Sequence, residues 1–146
     1  MPPLVRFFVK TAFLWLVLAL GLKALALTSW GASIPAITPV SWHALFVGWL
    51  TQLIVGIAHW MLPTIPGARR ERLRGDERVM WGVYALLNAG LLLRVISEPM
   101  VIARQEMALW RGLLIASAWL QWLALVLFVG NSWLRVRPAV KRGKRG

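Results

Sequence analysis

The sequence predicts an all-α fold, a polytopic membrane four-helix bundle with both termini cytoplasmic. Hydrophobic residues make up 59% of the 146, and ten of them are tryptophans. Mean hydropathy is +0.66. Four separate apolar runs each approach the ~20 residues that cross a hydrocarbon core of ~30 Å. A soluble domain of this size could not keep so much apolar surface from water. Runs of that length in lipid must be helical, because open strands would leave backbone groups unpaired.

The first run extends from about Leu4 to Leu27. Arg6 and Lys10 before an apolar stretch, with Ala24-Leu25-Ala26 after it, resemble a signal peptide with its cleavage site. The run is long enough to span, so it is expected as a retained helix. The second run covers about Ser41 to Leu62, the third Val79 to Ser97 and the fourth Ala108 to Trp133. These four spans form a single transmembrane domain over residues 1–134, followed by a basic cytoplasmic tail at 135–146.

The basic residues orient the bundle. Of the 17, two (Arg6, Lys10) lie at the amino terminus and five (Arg69, Arg70, Arg72, Arg74, Arg78) in the second-to-third connection. Six more lie in the tail, from Arg135 to Arg145. The positive-inside rule then puts both termini in the cytoplasm. The membrane expected is a bacterial-type inner (plasma) membrane. A net charge of +12 gathered in short segments between apolar runs suits anionic lipid head groups and excludes a nucleic-acid groove. The absence of cysteine excludes disulfides and thiolate chemistry. There is no Gly-rich phosphate loop and no catalytic triad.

The only two histidines, His43 and His59, fall near opposite ends of the second span. Polar rings in hydrocarbon are costly, so each is a candidate site. Sixteen residues at ~1.5 Å rise separate them by roughly 24 Å on largely different faces, too far apart to share one ion within one helix. His59, beside Trp60 and the basic loop, reads as an interfacial residue, with a second site in its own leaflet as the alternative.

His43-x-x-x-x-Gly48, then Gly56-x-Ala58, then Met61-Leu62-Pro63 resembles the second transmembrane helix of heme-copper oxidase catalytic subunits. It also resembles the related NnrS-type and short oxidase-like membrane proteins. Asn88-x-Gly90-x-x-x-Arg94-x-x-x-Glu98-Pro99 is similar to a pattern of those short proteins. The resemblance implies heme b held through His43 at the outer face, and a role in electron transfer or gas sensing. Four spans against about a dozen, and no further histidines for a copper site, imply that the chain alone does not reduce oxygen. The absent partner ligand leaves three solutions open. They are a second copy of the chain, a methionine (Met100 or Met107), or a five-coordinate heme open to nitric oxide or oxygen.

Arg94 is expected at the level of His43, facing heme propionates or pairing with Glu98 at i,i+4. Arg111 is a further propionate candidate or a snorkelling side chain. Gly48 sits on a ridge with Ala44, Gln52 and Gly56 that admits either a close helix or a flat macrocycle. Asn88, Gln52 and Gln121 are expected to hydrogen-bond between helices. The partners expected are the lipid bilayer, a second copy in a homo-oligomer, and a quinone or respiratory-chain protein. The alternative function is that of a non-heme accessory or assembly protein of a respiratory oxidase complex. Transport is disfavoured by the lack of a buried acid.

Overall fold

The computed structural model describes residues 1–65, 74–104 and 107–136. Arg69, Arg70 and Arg72 of the basic loop, and the tail beyond Val136, lie outside them. The described residues form helices α1 (Pro3–Ala26), the single turn α2 (Ser29–Ala32), α3 (Ile37–His43), α4 (Gln52–Met61), α5 (Glu77–Ala103) and α6 (Ala108–Ser132). An eight-residue π-helical segment, Ala44–Thr51, joins α3 to α4 without a break, and a 3₁₀ turn, Trp133–Arg135, closes α6.

Four continuous helices are long and apolar enough to cross a membrane: Pro3–Ala26, Ile37–Met61, Glu77–Ala103 and Ala108–Arg135. They alternate in direction, so Met1 and Val136 share one end of the bundle and the turn α2 lies at the other. The first span packs along the second, and the fourth lies along the third and is the most exposed of the four.

Local chemistry explains the boundaries. Pro3 opens α1, where a missing N–H costs nothing. Thr28 caps α2, its Oγ1 accepting from Gly31 N at 3.0 Å. Asp76 caps α5 by accepting from Arg78 N at 2.8 Å. The third span runs past the expected end at Ser97 and passes through Pro99. Pro99 removes one helical donor, but unwinding there would expose several more backbone groups to hydrocarbon. The second span likewise starts at Ile37, four residues before the expected Ser41.

The interior divides by depth. Toward the end with the termini, Leu4, Phe8, Val55, Met80, Val83, Leu87 and Ala124 form an apolar core. Toward the other end Trp15, Ala19, Ala44 and Leu91 form a second. Glycines set the closeness of the first two spans: a Cβ at Gly48 would meet Trp15 at 2.6 Å, and one at Gly56 would meet Phe8 at 2.6 Å.

Gly75 precedes the cap of α5 with a φ of +83°, and an added Cβ there would lie 2.8 Å from Asn131 Oδ1. Asn131 Oδ1 accepts from Asp76 N at 2.9 Å, tying the end of α6 to the start of α5. Gly75→Ala is therefore expected to lower stability by about 1–2 kcal/mol, from the left-handed backbone and the displaced amide together. Thermal unfolding in detergent measures it; an unchanged melting temperature would refute the turn geometry.

Candidate functional site

The π-helical segment decides how the second span presents its polar residues. A π turn is wider than an α turn, so each residue advances by a smaller angle and the phase between the span's two ends changes. Thr51 Oγ1 donates to Phe46 O, five residues back, at 2.8 Å, in keeping with that wider turn. A regular helix would put the two histidines on largely different faces, yet both are turned toward the protein. His43 reaches α5, Gln52 reaches α5, and His59 is only 4% exposed.

At the end away from the termini, His43 lies between two ionisable residues of α5. Its Nε2 is 3.0 Å from Arg94 Nη1, and its Nδ1 is 2.9 Å from Pro39 O and 3.3 Å from Glu98 Oε2. Arg94 can only donate, so Nε2 accepts and the proton sits on Nδ1, donated to the Pro39 carbonyl beside the Glu98 carboxylate. The imidazole thus separates Arg94 from Glu98, and the i,i+4 ion pair gives way to a bridge through the ring. The His43 side chain is 31% exposed and that of Glu98 16%, so an acid is largely buried here, contrary to the expectation that the spans lack one. Arg94 Nε and Glu98 Oε2 are buried without a hydrogen-bond partner of their own.

The other expected site residues separate from this cluster. Gly48 is packed under Trp15 of α1 and Leu91 of α5, whose side-chain atoms would lie 2.6 Å and 2.9 Å from an added Cβ. The ridge serves helix contact, and no macrocycle can lie on Gly48 while Trp15 stays. Arg111 is exposed on α6 and makes no hydrogen bond or ion pair among the described residues. Met100 is half-buried and Met107 is exposed.

Asn88 joins three spans near the middle of the bundle. Its Oδ1 accepts from Trp15 Nε1 at 3.1 Å and from Gln52 Nε2 at 3.0 Å. Its Nδ2 donates to Gln52 Oε1 at 3.2 Å and to Tyr84 O at 2.9 Å. Gln121 does not join: its Nε2 is buried without a partner, and its chain packs on Gly90.

At the end with the termini, a residue that charge counting assigns to the tail is 1% exposed. Arg135 donates to His59 O at 2.8 Å, Leu62 O at 2.7 Å, Pro63 O at 3.0 Å and Arg74 O at 3.0 Å. Its Nη1 also lies 3.4 Å from His59 Nδ1. It satisfies the carbonyls that α4 leaves open at its last turn and sets a positive charge at the negative end of that helix. The sequence signal was Pro63, which stops the helix and leaves carbonyls that need a donor.

Does the His43 cluster suit a heme? Its donor chemistry does. A ligating histidine presents one neutral nitrogen while its other N–H is held by a carbonyl or carboxylate. Pro39 O and Glu98 hold Nδ1 in that way, and the lone pair of Nε2 is met by the Arg94 guanidinium.

Fold and site together define a class: an all-helical bundle of membrane-crossing helices with an ionisable cluster embedded between its second and third spans. The chain matches no family model, no curated protein and no solved structure.

Proposed function

We propose that this chain is a heme b-binding protein of a bacterial-type inner membrane, acting in electron transfer or in sensing a gas such as nitric oxide or oxygen. His43 Nε2 would hold the iron. The observation that carries the reading is the setting of the ring, with Nδ1 at Pro39 O and Glu98 and Nε2 facing a pure donor, from which the proton is assigned to Nδ1 and Nε2 is left basic. Heme bound there supplies a one-electron centre or a gas-binding iron.

The chain's own residues hold and tune that site. Pro39 O and the Glu98 carboxylate orient the ring and raise the basicity of Nε2. Arg94, once it yields Nε2, keeps its guanidinium beside the ring for the carboxylate of a propionate. Arg6, Lys10, Arg74, Arg78 and Arg135 lie toward the end with the termini, which supports the reading of cytoplasmic termini and of His43 toward the outer face. In a homo-oligomer, His43 of a second copy would help to hold the heme.

A second reading is a non-heme accessory protein of a respiratory complex. It is favoured by the closure of Nε2 by Arg94 and by Trp15 filling the space over Gly48.

An absorption spectrum of the purified full chain, expressed with heme supplied, separates the two. The heme reading expects a Soret band that survives in His59→Ala and disappears in His43→Ala. A colourless native chain refutes it in favour of the accessory role. Loss of the band only in His59→Ala would move the ligand to the opposite end.

A further inference from the structure

Between α1 and α5, on the side that faces lipid, lies an open groove of about 390 Å³ lined by Thr11, Leu14, Trp15, Leu18, Tyr84, Asn88 and Leu92. Its walls are leucines, of which Leu14 is 71% and Leu92 52% exposed. Its floor is polar. Thr11 Oγ1 and Tyr84 Oη are 2.7 Å apart, and one donates to the other. That bond uses one of the two hydroxyl protons. The second is given to no acceptor among the described residues, although a half-buried hydroxyl facing hydrocarbon gains from a partner.

Depth restricts what can supply it. At 1.5 Å per residue, Thr11 lies roughly 12 Å beyond the start of α1 and Tyr84 roughly 10 Å beyond the start of α5. With 24 and 27 residues, the two helices overhang a ~30 Å hydrocarbon core at both ends, so the pair lies roughly 5–10 Å inside it. Acyl chains at that level offer no acceptor. No charged side chain lines the groove, so a charged ligand would stay uncompensated there. Tyr84 stands in an edge-to-face cluster with Phe7, Phe8 and Trp81, which gives the pair an aromatic surround.

We propose that this groove binds a neutral, carbonyl-headed lipophile of the quinone class, its ring carbonyl accepting from the Thr11–Tyr84 hydroxyl pair and its hydrocarbon chain running along Leu14, Leu18 and Leu92. The binding needs no electron transfer and stands whether or not His43 holds heme.

The test uses the full chain in lipid nanodiscs, with a decyl-chain benzoquinone as probe and quenching of tryptophan fluorescence as readout, since Trp15 lines the groove. The native chain is expected to show a saturable component above the linear background from partitioning. Removing both hydroxyls with Thr11→Val and Tyr84→Phe keeps the shape and is expected to weaken that component about tenfold, or ~1.4 kcal/mol. Leu14→Trp, at an exposed position that leaves the core untouched, is expected to abolish it by filling the groove. Linear quenching alone in the native chain would mean that acyl chains occupy the groove, and overturns the proposal. Equal saturable binding in native and hydroxyl-free chains overturns it as well.

Discussion

Arg135→Ala is expected to destabilise the purified chain by about 2–4 kcal/mol, since hydrogen bonds to a charged group contribute about 1.5–3 kcal/mol and buried acceptors left unpaired cost about 1–3 kcal/mol. Four carbonyl oxygens, from His59, Leu62, Pro63 and Arg74, would lose their donor together. No water replaces it readily, because Arg135 is 1% exposed. The positive charge that opposes the dipole at the end of α4 disappears as well. Arg135→Lys keeps that charge, but a compact ammonium with three donors cannot span the four carbonyls, so it should recover less than half of the loss. Thermal or denaturant unfolding in detergent measures both variants, and an alanine variant that melts like the native chain would refute the capping role.

Asn88→Leu is the second large effect expected, at about 2–4 kcal/mol. The substitution strands the Gln52 amide, 0% exposed, and the Trp15 indole N–H. A buried group left unpaired costs about 1–3 kcal/mol, and hydrogen bonds between membrane helices fall toward the lower part of that range. The decisive variant adds Gln52→Leu. With both amides gone, the remaining polar group is the indole, so the double variant should be more stable than Asn88→Leu alone. Additive losses would mean that the two amides are not coupled.

How much of this could be read from residues alone depended on range. The four spans follow from hydropathy over about twenty residues, and the structure keeps all four with ends shifted by a few positions. Asn88 and Gln52 were expected to bond between helices, and they do. The partners of His43 depended on phase. Arg94 was correctly set at its level, but its bond to the ring and the bridge to Glu98 require the π-helical turn, which no residue pattern in Ala44–Thr51 announces. Arg135 was hidden by its neighbours: six basic residues in a row of positions look like one solvated tail, and only the folded chain separates the first of them. The third span outran its expected end at Ser97 and passes through Pro99, because the rule against proline in helix interiors is weaker where unwinding would face lipid.

The π-helical segment also makes the second span tolerant of one particular change in chain length. Its extra width acts like a residue inserted into an otherwise regular helix, so losing one residue within Ala44–Thr51 lets that stretch relax to α geometry while the flanks keep nearly their present phase. Fifteen steps of ~100° bring His43 to nearly the face it already occupies, so it would stay beside Arg94 and Glu98. The same loss within the α-helical stretch from Gln52 to Met61 would turn one side of the helix against the other by ~100°. Among natural variants, single-residue gaps should therefore be commoner inside the segment than elsewhere in the second span, and chains aligned across such a gap would still face their histidines the same way.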